Sequence, residues 1–174
     1  MKNQTRVLCA AAVVGAAYAV LTIALAPISY GAIQFRVSEA LCILPFFLPG
    51  TAWGLFAGCI IANLLTGNIF DIIFGSLATL GAALCSASIG KRGQGRGAAA
   101  LACLMPVIFN AIVVGAVITA AYNGLNILSH FGVFAFNALT VGLGEAGVLY
   151  LIGYPLARYL PKKAFFQDFI NKCK

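Results

Sequence analysis

Six apolar stretches, at approximately 7–26, 37–48, 52–66, 69–89, 98–122 and 133–157, follow one another with only short breaks of Pro, Gly, Asn and charged residues between them. A helix needs about 20 apolar residues to cross a hydrocarbon core of about 30 Å, so a chain of 174 residues has room for roughly six such helices and nothing left for a soluble domain. The chain is 62% hydrophobic and 9% charged, with a mean hydropathy of +1.00, which places it outside the range of soluble domains. The expected fold is therefore an all-α integral membrane protein with six transmembrane helices, a single membrane domain over 1–174. Any function has to sit among those helices.

The formal net charge is +7, but the basic residues are not spread as a nucleic-acid groove would need. They fall in three clusters: Lys2 with Arg6; Lys91, Arg92 and Arg96; and Arg158, Lys162, Lys163, Lys172 and Lys174. That is the pattern of cytoplasmic loops under the positive-inside rule. It places both termini in the cytoplasm, makes 158–174 a basic cytoplasmic tail, and makes 90–97 and the Pro49-Gly50-Thr51 turn inner connections. Segments 27–36, 67–68 and 123–132 then face outward, as expected of a multi-pass protein of the bacterial cell membrane, in contact with lipid. Lys2 and Arg6 before an apolar run ending at Ala24-Leu25-Ala26 also fit a signal peptide. Against that, the run is longer than a signal core, Pro27 sits where cleavage needs an ordinary residue, and five more spans follow.

A carboxylate at the centre of a spanning helix costs about 2.5–3.5 kcal/mol, so Arg36, Glu39, Asp71 and Glu145 each need a reason to be there. In this topology Glu39 and Asp71 fall near outer helix ends, and Asn63 and Asn137 in the outer halves of the third and sixth helices. The 27–36 loop, with Tyr30, Gln34 and Phe35, roofs them. The asymmetry favours a pocket loaded from outside, with Glu145 near mid-membrane as its floor or as a partner for Asn110. Structural readings stand beside these. Ser38 and Glu39 also suit a helix start, Arg36 and Glu39 an ion pair, and Asn68 with Asp71 a capping box.

The six cysteines form no CxxC pair and five lie inside apolar runs, so they are expected to pack as small hydrophobes. His130 has no nearby ligand at a useful spacing, and no metal or cofactor is expected. Trp53 suits an interfacial anchor. On the first helix, Ala12 and Ala16 run beside a second stripe of Ala11, Gly15 and Ala19, the small-xxx-small spacing that lets helices approach closely, within the chain or with a partner. No GxxxxGK[ST] loop occurs, so the chain is not expected to hydrolyse ATP and is not read as an enzyme.

The run Gln34-Phe35-Arg36-Val37-Ser38-Glu39-Ala40-Leu41 followed by Leu44-Pro45-Phe46-Phe47 resembles the hallmark of the queuosine-precursor transporter (QueT) family. Asp71-Ile72 with Phe74-Gly75-Ser76-Leu77-Ala78-Thr79-Leu80 is similar to its second signature, and Gly144-Glu145-Ala146 with Gly153-Tyr154-Pro155-Leu156 to its last helix. The resemblance covers about 7–160. It implies the substrate-binding S component of an energy-coupling-factor (ECF) ABC transporter, partnered by a transmembrane T subunit and two cytoplasmic ATPases. Ala12 and Ala16 map to the face that docks on the T subunit, and delivery is by toppling in the membrane.

The implied ligands are 7-deazaguanines. A carboxylate accepts both the ring N–H and the exocyclic amine of a guanine-like edge, for which Glu39 is the first candidate and Glu145 the second. Asp71 would neutralise an aminomethyl cation, Asn63 and Gln34 would serve the carbonyl side, and Tyr30 or Phe35 would stack on the ring. The rival expectations are an S component for another vitamin, a membrane enzyme acting on a lipid, and an ion-coupled carrier working alone.

Overall fold

The computed structural model describes residues 2–30 and 34–173, which are mostly helical, with no strand among the described residues. Helix α1 (Lys2–Ala24) is followed by the short α2 (Ala26–Ser29) and a 3₁₀ helix over Val37–Phe46. Helix α3 (Thr51–Asn63) ends in a 3₁₀ turn, Leu64–Thr66; α4 (Ser76–Arg92) begins with a π turn, Asp71–Gly75. Helix α5 (Arg96–Val117) ends in a second π turn, Ile118–Tyr122, and α6 (Phe131–Val148) runs through a third, Leu149–Gly153, into α7 (Tyr154–Tyr159). The chain closes with α8 (Ala164–Cys173).

Four helical stretches are long and apolar enough to cross a membrane: Asn3–Ala24, Asp71–Arg92, Arg96–Tyr122 and Phe131–Lys162. The other two apolar helices, Val37–Phe46 and Thr51–Thr66, are shorter. The 3₁₀ winding partly offsets this, since ten residues at about 2.0 Å each advance about 20 Å, against about 15 Å as α-helix.

Helices α1 and α3 pack backbone to backbone. A Cβ on Gly54 would stand 2.6 Å from the carbonyl carbon and 2.9 Å from the Cα of Ala11, and one on Gly58 would stand 2.9 Å from the Cα of Gly15. The Ala11, Gly15 and Ala19 stripe is therefore buried within the chain, while Ala12 and Ala16 stay exposed on the far side of α1. The core has two parts. One gathers Tyr18, Cys42, Ala52, Leu55, Cys59 and Ala83 between α1, the 3₁₀ helix, α3 and α4. The other gathers Ile43, Phe46, Phe47, Cys103, Leu149 and Ala157.

The basic tail does not trail free. Helix α8 is amphipathic and buries Ile170 and Cys173, with the Phe166 ring edge-on to Phe47 at 5.5 Å between centroids. The Arg6 guanidinium donates to the Lys172 carbonyl at 3.2 Å, tying the two ends of the chain together.

Candidate functional site

Helix α4 and its leading turn span 22 residues, Asp71 to Arg92, which at 1.5 Å each separates the two by about 30 Å. At the Asp71 end, remote from the basic Lys91, Arg92 and Arg96, lies a cavity of about 750 Å³, within the range of small-molecule sites. Its walls are Tyr30, Gln34, Leu65, Thr66, Asp71, Ile118, Tyr122, Asn123, Phe136, Asn137 and Thr140. Tyr30, Gln34, Asp71 and Asn137 are thus brought together on one surface. Glu39, Glu145, Arg36, Asn63 and Phe35 lie outside that lining.

The Asp71 wall is built by local chemistry. Gly67 takes a φ of 65°, a left-handed conformation that suits glycine and turns the chain after α3. Asn68 Oδ1 then accepts from the Phe70 N–H at 2.9 Å, as a helix cap should. The second half of the expected capping box is not made by Asp71, because the Asn68 N–H goes to Thr66 Oγ1 at 3.3 Å. The Asp71 carboxyl lines the cavity wall beside the Thr66 hydroxyl, although the residue as a whole is only 3% exposed. Behind it, Asn63 Nδ2 donates to the Asp71 carbonyl at 3.2 Å and to Cys59 Sγ at 3.4 Å. Gly75 lets the two segments meet, since a Cβ there would lie 3.1 Å from both Asn63 Nδ2 and Asp71 Oδ1.

The Tyr30 wall is pinned from two sides. Its hydroxyl donates to the Ala62 carbonyl at 2.6 Å, and the Arg36 guanidinium lies over its ring at 5.0 Å from the centroid, a cation–π geometry. The expected Arg36–Glu39 ion pair is not formed: among the described residues the only ion pair is Lys172–Asp168. Arg36 is 4% exposed and its Nη2 has no hydrogen-bond partner among the described residues. Residues 31–33 of the expected roof lie outside the described residues. Phe35 packs away from the cavity against α6, where a Cβ on Gly147 would come within 3.1 Å of its ring.

Glu39 is fully buried, with Oε1 taking the Tyr18 hydroxyl and Oε2 the Cys42 thiol at 3.0 Å. Ser38 does not cap a helix. Its hydroxyl meets Thr22 Oγ1 at 2.6 Å, and Thr22 gives its own proton to the Tyr18 carbonyl at 2.8 Å, so the 3₁₀ helix is fastened to α1 by side chains. Cys42 and Cys59 therefore take part in a polar network as well as in packing. Glu145 Oε1 accepts from Asn110 Nδ2 at 2.9 Å, while Glu145 Oε2 and Asn110 Oδ1 are buried without a partner among the described residues. His130 is exposed, its Nδ1 facing the Asn126 carbonyl at 3.3 Å, and Trp53 is largely exposed at the start of α3.

Sequence reasoning missed Tyr18, Thr66, Thr119, Tyr122 and Thr140. Thr140 had a signal, since it follows Asn137 by three residues and shares its helix face. Tyr18 had none, lying in an apolar helix 21 residues from the carboxylate it binds. The assembled site combines aromatic faces, a carboxylate and amides, enough to orient a flat polar ligand.

Fold and site together define a multi-pass helical membrane protein with a ligand-sized cavity at one end of its bundle. The model of the QueT transporter family matches residues 8–162, and the chain belongs to that family. It is also 42% identical over 81 residues to the queuosine precursor transporter QueT of Lactococcus lactis subsp. cremoris (strain MG1363), a match covering 45% of this chain and 48% of that protein. The match thus spans about half the length of the curated relative. No solved structure matches.

Proposed function

We propose that this chain is the substrate-binding S component of an ECF-type ABC importer, capturing a 7-deazaguanine precursor of queuosine from outside. A T subunit and two ATPases then drive its delivery by toppling. The observation that carries this reading is the cavity of about 750 Å³ holding Asp71 beside Tyr30 and Asn137, in a chain of the QueT transporter family. With the basic clusters inside, that end of the bundle opens outward, and the six helical rods span the bilayer with both termini cytoplasmic.

In this reading Tyr30 stacks on the ligand ring, Asp71 meets its positive charge, and Gln34 and Asn137 serve its polar edge. Glu39 and Glu145 stand behind the wall. Glu145 has one open oxygen for a ligand that reaches it, whereas Glu39 reads a guanine edge only if Tyr18 and Cys42 give way. Arg36 backs Tyr30, Asn63 holds the Asp71 main chain, and Phe35 closes the bundle against α6. The exposed Ala12 and Ala16 offer the T subunit a smooth face, the neighbouring stripe being occupied by α3.

Isothermal titration of the detergent-solubilised protein with the nitrile and aminomethyl 7-deazaguanines, against guanine and riboflavin, tests the cargo. Saturable one-to-one binding of a precursor alone is expected, weakened by Asp71→Asn. Binding of riboflavin alone would overturn the cargo assignment. Unchanged affinity in Glu39→Gln would exclude that carboxylate as the edge reader. For the partner, Ala12→Leu with Ala16→Leu should leave binding intact and abolish ATP-dependent uptake by cells that supply the other subunits.

A further inference from the structure

The cavity wall has a marked hydrogen-bond polarity. The Tyr30 hydroxyl gives its proton to the Ala62 carbonyl at 2.6 Å, and Thr140 to the Asn137 carbonyl at 2.9 Å. A hydroxyl whose proton is committed offers only lone pairs to a ligand. Asp71, ionised, also only accepts.

The amide of Asn137 can act either way, and its neighbour decides. Thr119 is fully buried on the Ile118–Tyr122 turn and donates to the Gly115 carbonyl at 2.8 Å, so its oxygen is left as an acceptor. Asn137 Nδ2 donates to that oxygen at 2.9 Å. A flipped amide would set Oδ1 against an oxygen with no proton to share, so Oδ1 is the free end. Gln34 and Asn123 keep amide donors, and Tyr122 a phenol O–H, for a ligand carbonyl.

We propose that this cavity selects ligands by hydrogen-bond donors and positive charge, and that Thr119 is the positioning residue that fixes the Asn137 amide for that purpose. The inference rests on the function proposed above and narrows it. Two precursors share the 7-deazaguanine scaffold, but one ends in an ammonium with three donors and the other in a nitrile nitrogen that only accepts. The acceptors of Tyr30, Asp71, Asn137 and Thr140 favour the first over the second, because a nitrile facing them leaves those buried acceptors unpaired.

The test is calorimetric titration of wild type, Thr119→Val, Thr119→Ser and Asn137→Ala with both precursors, each variant first shown monodisperse and helical. Benzylamine and benzonitrile, titrated alongside at millimolar concentration, read the wall independently of the cargo. The expected wild-type preference for the aminomethyl form is about tenfold or more, the scale of one charge-assisted bond. Thr119→Val should cut that preference severalfold, Thr119→Ser should retain it, and Asn137→Ala with Thr119→Val should lose no more than Asn137→Ala alone. Equal or tighter binding of the nitrile would overturn donor selection, and an unchanged preference in Thr119→Val would overturn the positioning role. If neither precursor binds while benzylamine is preferred to benzonitrile, the cargo reading falls and the wall's polarity stands; if benzylamine shows no preference either, the inference falls too.

Discussion

Replacing Gly54 by alanine probes the seam between α1 and α3. The added methyl would stand 2.6 Å from the Ala11 carbonyl carbon and closer still to its oxygen, and ordinary contact begins at 3.4 Å, so the helices must separate by more than about 0.8 Å. The obstacle is main chain and cannot rotate aside, which puts the cost near the upper end of overpacking penalties, about 3 kcal/mol. Alanine's better helix propensity returns about 1 kcal/mol, leaving about 2 kcal/mol. For a chain of this size that corresponds to a fall of about 4–8 °C in Tm, read by thermal unfolding of the protein in detergent. Gly132→Ala is the control: it lies in α6 with no atom within 4 Å of the new Cβ, and it should be neutral or stabilising by up to about 1 kcal/mol. Ala11→Gly should not rescue Gly54→Ala, because the overlap is with Ala11's backbone and not its methyl. Rescue by Ala11→Gly, or a Gly54→Ala melting curve that overlays the wild type, would refute the close-packing argument.

Asn110→Leu strips Glu145 of the amide that donates to it at 2.9 Å; a loss of about 2–3 kcal/mol is expected, with Glu145→Gln in the same background recovering much of it. An Asn110→Leu melting curve coincident with wild type would show that Glu145 needs no donor. Tyr18→Phe removes one of the two donors to Glu39 and should cost about 1–3 kcal/mol, checked by the same unfolding assay. Phe166→Ala, which deletes the edge-on contact with Phe47, should loosen α8 and speed tryptic cleavage after Lys162 and Lys163. An unaltered digestion time course would mean that Ile170 and Cys173 hold the helix unaided.

The all-helical, membrane-spanning character was legible because membrane insertion demands continuous apolar runs, and four such runs fold into helices long enough to cross. Asp71 and Asn137 were noticed for the same reason, since polar groups at such positions are expensive and therefore conspicuous, whereas Tyr30 and Gln34 were noticed as part of the loop expected to roof them. Pairings were not legible. Glu39 finds Tyr18 across 21 residues and Glu145 finds Asn110 across 35, and both depend on how each helix is rotated about its axis. A spanning helix that is apolar all round carries little of that information. On α1 the two small-residue stripes, Ala11–Gly15–Ala19 and Ala12–Ala16, looked equivalent as spacing; only the glycines at 54 and 58 on the facing helix decide which is buried. Nor did hydropathy distinguish 3₁₀ from α winding over Val37–Phe46.

The exposed alanines of α1 bear on reversibility. An alanine side chain has no rotamers to freeze, so a surface settling on Ala12 and Ala16 forfeits no side-chain entropy on that side, and each methyl contributes little buried area. Such a contact is shallow in energy and quick to form and break, closer to a sliding bearing than to a lock. In the importer proposed above, a face of this kind suits an encounter that has to be undone after every cycle.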